Sequence, residues 1–230
     1  MSTTTTSRFT AIAGLSAATA GAIFVGVQIN HPHLDVTSIT TTDVIIRNLL
    51  KMLMATLALA GITGMYLRQV TKIGVLGLLG YVLFAVGFLS IFGTEFVAAL
   101  VLPSIAHSST AYVNDVIAAA NNGTANGDIG LMQSAILFTG IAYLAGGFIF
   151  GIALFRANVL ARWAAALLAV GTLATIATGI LPQYERLFAI PTGVALVGLG
   201  YSLWRSQRTP AARPVPGSPV SAQLEPAAAR

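Results

Sequence analysis

The chain has 230 residues, 56% of them hydrophobic and 8% charged, with a mean hydropathy of +0.82. A soluble domain carries roughly a quarter charged residues, and one soluble core cannot hide this much apolar surface, so lipid must cover much of it. The net charge of +5 comes from basic residues scattered singly between apolar runs, which excludes a phosphate-binding patch and nucleic acid as a partner. There is no cysteine, which excludes disulfides, thiolate metal sites and cysteine nucleophiles.

Six apolar stretches, at about 9–29, 43–68, 73–102, 130–155, 159–181 and 187–205, can each supply the ~20 residues that cross a hydrocarbon core of ~30 Å. The fold class is therefore all-α: a polytopic membrane helix bundle with six transmembrane helices and a short outer cap helix. The Thr-rich start, residues 1–8, carries Arg8 and has no clear small-residue cleavage site, so the first helix reads as retained rather than as a signal peptide. It forms an N-terminal cytoplasmic tail. Residues 9–205 form the transmembrane domain, with the outer cap at about 103–129. Residues 206–230, with Pro210, Pro214, Pro216, Pro219 and Pro226 among Ala, Ser and Arg, read as a disordered cytoplasmic tail.

Charge sets the orientation. Arg8, Arg68, Lys72, Arg156, Arg162, Arg205, Arg208, Arg213 and Arg230 share one side, and only Arg47, Lys51 and Arg186 lie toward the other. The positive-inside rule then puts both termini in the cytoplasm. Asp35, Asp43, Glu95, Asp115, Asp128 and Glu185 lie toward the outer face, with His31, His33 and His107, so any chemistry is expected there. Trp163 and Trp204, each beside an arginine, mark the cytoplasmic interface.

Between the third and fourth spans, Ser109 or Thr110 could cap a short helix, with Tyr112–Ala120 packing on the membrane domain and Asn121-Asn122-Gly123-Thr124 ending it. Asn122-Gly123-Thr124 is also formally a glycosylation sequon, meaningful only in a glycosylating host. A 3+3 inverted repeat is a further reading. Phe9–Leu15 resembles Phe138–Leu144, and at another offset Val44, Arg47, Thr63 and Gly64 match Val159, Arg162, Thr178 and Gly179.

The candidate site lies on the second and third spans. Asp43, Arg47 and Lys51 are four residues apart and form one stripe. Taking Gln69–Lys72 as the cytoplasmic loop, a rise of ~1.5 Å per residue puts Lys51 about 25 Å, Arg47 about 31 Å and Glu95 about 33 Å up. Depth thus pairs Glu95 with Arg47 and leaves Lys51 just below, so Glu95 is expected within salt-bridge reach of Arg47 or Lys51. Three readings follow: an ion-pair clamp, an outward pocket for an anionic or amphipathic ligand held by spare positive charge, or an acid–base enzyme on a lipid or isoprenoid with Glu95 as acid. The ligand-binding candidates are Asp43, Arg47, Lys51, Glu95, Tyr112 and Asp115, with no catalytic residue and no cofactor assigned. Membrane lipids are expected partners, and a homo-oligomer is admissible. His31-Pro32-His33-Leu34-Asp35 invites zinc or copper, but His-x-His is not diagnostic and an interfacial loop is the preferred reading.

The stretch Gly151-Ile152-Ala153-Leu154-Phe155-Arg156-Ala157-Asn158-Val159-Leu160-Ala161-Arg162-Trp163-Ala164 resembles a signature of small bacterial membrane proteins grouped as a domain of unknown function. In those proteins one helix ends in Leu-x-Arg and the next begins with a hydrophobic pair, often a proline, then Arg-Trp. Here Ala161 stands where that proline is usual. The resemblance covers the fourth and fifth spans and implies a multi-pass protein of the bacterial plasma membrane, with no established activity and no catalytic residues.

Overall fold

The computed structural model describes residues 3–30, 32–121, 123–176 and 185–207. Among these the structure is helical, with no strand. The helices are α1 (Thr3–Gly26), α2 (Thr42–Phe96), α3 (Leu102–Ile105), α4 (Thr110–Ala120), α5 (Met132–Ala157), α6 (Arg162–Ala174) and α7 (Glu185–Arg205). Four helical stretches are long and apolar enough to cross a membrane: Ser7–Gly26, Thr42–Ile105, Met132–Ala157 and Leu187–Arg205.

The second of these folds back on itself. Inside α2, Gly74 has φ 63° and ψ −169°, a conformation open essentially to glycine alone. The chain reverses there, so residues 42–73 and 75–96 run antiparallel as two limbs. Tyr66 stacks on Tyr81 with ring centroids 4.7 Å apart, and the Thr63 and Tyr81 hydroxyls lie 3.0 Å apart. The segment Gln69–Lys72, expected as a loop, is helical up to the turn. Its one amide, Gln69, is buried and donates to the Met65 carbonyl one helical turn back.

Among the long helices, α1, the two limbs of α2, α5, α6 and α7 each pack antiparallel on the next, and α7 returns to α1. Gly61 of the first limb meets Ala17 of α1, and Gly87 of the second limb meets the backbone of Tyr143 on α5. Gly151 of α5 meets Ala169 of α6, Gly171 of α6 meets Thr192 of α7, and Gly200 of α7 meets Gly14 of α1. A Cβ at any of these glycines would fall within 3.0 Å of its neighbour, so the seams rely on small residues that let backbones approach. Phe84, Phe88 and Phe150 are fully buried among them, with Tyr143 tilted against Phe84 and edge-on to Phe88.

A second, smaller core lies over the end of the bundle that holds the N-termini of α2 and α5. Ile39, Val44, Leu102, Val113, Val116, Ile117 and Ile129 gather there, so the 32–41 loop and α4 build one roof together. The predicted cap helix begins at Thr110 as expected, but Ser109 makes no side-chain capping bond; the Thr110 hydroxyl donates back to Ala106. Its C-terminal turn is closed by Gly123 N–H donating to Ala118. The third span also departs from a plain helix to residue 102. Pro103 cannot donate to a carbonyl one turn back, and the chain widens into a π-helix, Val97–Val101, before α3. The α1 boundaries fall at Thr3–Gly26 against 9–29 expected, and α6 runs Arg162–Ala174. Residues 177–184, the sequon asparagine Asn122, and the tail from 208 lie outside the described residues.

Because nothing lies within 4 Å of a Cβ built at Gly74, Gly74→Ala tests the backbone alone. It should cost about 1–3 kcal/mol, read as a lowered Tm in detergent. Gly140→Ala, at an equally open position inside α5, should leave Tm unchanged or raise it.

Candidate functional site

Counted from Gly74 rather than from a loop at residues 69–72, Lys51 and Glu95 stand about 34 and about 32 Å up their limbs, and Arg47 about 40 Å. The structure accordingly pairs Lys51, not Arg47, with Glu95. Lys51 Nζ lies 3.2 Å from Glu95 Oε1 and 3.5 Å from Oε2. Each side chain is only 18% exposed. Lys51 also reaches Asn48 Oδ1 at 3.4 Å, and Asn48 is itself buried at 2% exposure. The expected pairing of Glu95 by depth with Arg47 is thus corrected by one helical turn, and the cause is the helical conformation of 69–72.

Arg47 does different work. Its Nε donates to Asp43 Oδ2 at 2.9 Å, and its Nη1 donates to the Ile29 and Val27 carbonyls at 2.9 and 3.4 Å. Those carbonyls belong to the turn after α1, so Arg47 satisfies acceptors that the helix end leaves open and fastens α1 to α2. Arg47 and Lys51 therefore each have a carboxylate partner. The surplus positive charge that motivated an anion site is absent from this group of four residues.

Between the limbs, α5 and the roof lies a cavity of about 610 Å³, within the ~300–1,000 Å³ range of small-molecule sites. Lys51, Glu95, Asn48 and Thr94 form a polar wall from α2, joined by Gln28 from the turn after α1 and Thr139 from α5. The π-helix contributes Val97 and Ala98, and Leu102, Val116, Ile117 and Ile136 add apolar lining. His33, Ala120 and Asn121 are exposed at the lip.

Of the six predicted site residues, Lys51 and Glu95 line the cavity. Asp43 and Arg47 stand beside it as the clamp just described. Tyr112 is half-buried in the roof core, and Asp115 is a loop clip whose two carboxylate oxygens accept from Asn126 and Gly127 N–H at 2.9 and 3.0 Å. Asn48, Gln28, Thr94 and Thr139 were not singled out from sequence. Asn48 had a readable signal, being a polar residue three positions before Lys51 in an apolar span.

The rim loop is held by Asp35. Its Oδ1 accepts from Ser38 N–H at 2.7 Å and Thr37 N–H at 2.8 Å, while Ser38 Oγ accepts from Asp35 N–H and donates to the His33 carbonyl. The Ser38 backbone bond chiefly, then those from Thr37 and the Ser38 hydroxyl, hold the Asp35 carboxyl below its ordinary value. This explains the acid in His33-Leu34-Asp35 as a loop fastener. His107 lies exposed in the turn after α3, and His31 lies outside the described residues. Among the described residues no three side chains of metal-binding type gather.

No family model, curated protein or solved structure matches this chain.

Removing one member of the Lys51–Glu95 pair strands the other charge beside apolar surface. Glu95→Gln or Lys51→Met alone should each cost about 2–4 kcal/mol, and the double substitution less than either. Thermal unfolding of the three variants in detergent measures this. Additive single losses would show the two groups to be independently solvated.

Proposed function

We propose that this chain is a multi-pass membrane protein whose outward-facing cavity binds, or passes on, a small lipidic ligand. The observation that carries the reading is a cavity of about 610 Å³ lined by a half-buried ion pair, by amides and by aliphatic side chains. Such a mixed lining suits an amphipathic molecule. A membrane setting supports it further, through the four long apolar helices and through exposed side chains such as Val75, Leu137, Ile141, Val170 and Leu187 on the outside of the ring. An acid–base enzyme is less well supported, because Glu95 is the one carboxylate among the described residues lining the cavity.

The proposed topology has six crossings, two of them the limbs of α2 and one running through α6 and the residues beyond it, with both termini cytoplasmic. The plasma membrane and the uncharacterised bacterial family belong to the same proposal. The internal repeat finds partial support. Gly80 and Gly87 meet Phe150 and Tyr143, and Gly193 and Gly200 meet Gly21 and Gly14, so both seams have a seven-residue spacing. The step from Gly14 to Tyr143 has the same offset as that from Phe9 to Phe138. A two-fold axis in the membrane plane, however, would reverse the order of helices round the ring. We therefore propose a repeated seam rather than a symmetry of the whole bundle.

The chain's lack of cysteine makes topology directly testable. Single cysteines at positions 35 and 124 should react with an impermeant thiol reagent from outside, and those at 70 and 158 should not; labelling at 70 would overturn the orientation. For the ligand, native mass spectrometry of gently solubilised wild-type protein should find a bound amphiphile. Ala98→Phe, which fills the cavity from the π-helix, should lose it with little change in Tm. A wild-type protein that is empty in the native membrane extract would sink the binding reading.

A further inference from the structure

The chemistry of the polar wall narrows the ligand further, and the argument rests on the binding reading above. An anion at the cavity would meet Lys51 and Glu95 at nearly equal distance, because their charged atoms are 3.2 Å apart. Attraction to one is largely cancelled by repulsion from the other. A cation fares no better. Arg47 cannot tip the balance, being neutralised by Asp43 at 2.9 Å.

What a paired lysine and glutamate offer is a local dipole, and both ends have bonding capacity left. The Lys51 ammonium has three donors, of which Glu95 and the long contact to Asn48 Oδ1 use two. A carboxylate accepts about four hydrogen bonds, and among the described residues Lys51 is the one donor to Glu95. Both residues line the same cavity. The complement of that wall is a group carrying its own opposite charges side by side, laid antiparallel to the pair. The apolar lining of Val97, Leu102, Val116, Ile117 and Ile136 demands an apolar remainder.

We infer that the cavity recognises a zwitterionic amphiphile, with its ammonium directed at Glu95, its phosphate or carboxylate directed at Lys51, and its hydrocarbon along the wall formed by the π-helix and α4. Selectivity then resides in the balance of the pair. Neutralising Glu95 leaves a net positive pocket, which exchanges a preference for zwitterions for a preference for anions.

The test uses the full-length protein in nanodiscs of equal parts phosphatidylethanolamine, phosphatidylglycerol and diacylglycerol. Bound lipid is released and counted by native mass spectrometry. Wild type should retain phosphatidylethanolamine over phosphatidylglycerol by about tenfold, the discrimination expected of one or two charge-assisted hydrogen bonds. Glu95→Gln should reverse the order. Should that variant fail to fold, Lys51→Met with Glu95→Met removes the dipole without stranding a charge, and should keep lipid while bringing the two lipids to parity. A water-soluble ammonium–carboxylate amphiphile and a free amino acid, added separately, separate the sources of the headgroup. Displacement by the first alone supports an amphiphile, whereas displacement by the amino acid overturns the need for a hydrocarbon tail. Bound lipid whose identity is indifferent to Glu95→Gln and to the double substitution would overturn the zwitterion inference and leave the cavity reading standing. Wild type that retains no lipid and no competitor would overturn both.

Discussion

The reversal at Gly74 sets the register of everything above it. Two helices joined by a single residue cannot slide past each other, so each height on one limb of α2 has one partner height on the other. Tyr66 therefore meets Tyr81, Thr63 meets the same tyrosine hydroxyl, and Lys51 meets Glu95. The second limb is in turn locked to α5 by backbone approaches at Gly80 and Gly87, where any side chain would collide with Phe150 and Tyr143. Moving the first limb by one turn would bring Arg47 to Glu95 and remove it from the Val27 and Ile29 carbonyls it now satisfies. The ion pair, the α1 clamp and the cavity thus depend on one backbone conformation.

The architecture was largely legible in the sequence because its determinants are local. Apolar length gives the helices, and a polar start followed by an apolar run gives the helix at 110–120. Register was not legible. Gln69, Arg68 and Lys72 resemble a loop by polarity, yet Gln69 is buried and helical, and that difference changed the partner of Glu95. The roof was half visible. The contribution of α4 could be read from its amphipathic pattern, but Ile39 joins it through an Asp35–Ser38 turn that depends on tertiary contact for its apolar side. The π-helix had a faint signal in Pro103, which a plain helix to residue 102 ignores.

The two halves of the bundle's height are built on opposite principles. Toward the middle, glycines and alanines bring backbones together around Phe84, Phe88 and Phe150, leaving no room for a ligand. Toward the end that holds the N-termini of α2 and α5, the π-helix widens the second limb while α4 and the 32–41 loop stand off as a separate core. Open space appears where the tight seams stop. The same widening turns Val97 and Ala98 toward it, in keeping with the frequent use of π-helical turns at functional sites.

A lysine–glutamate pair at 18% exposure is not explained by stability. Desolvating two charges costs several kcal/mol per ion, and well-packed apolar residues of the same volume commonly match or exceed a buried pair. Here the apolar alternative is close at hand, since Ile91 and Ile136 already line the cavity beside Glu95. Arg47 shows what a structural ion pair looks like in the same chain. It is tied to an exposed acid, closes two backbone carbonyls, and does not line the cavity. Among the described residues the Lys51–Glu95 pair closes nothing but itself and Asn48, and it leaves donor and acceptor capacity on the cavity surface. The contrast between the two pairs is the reason for reading the second as a recognition element rather than a fastener.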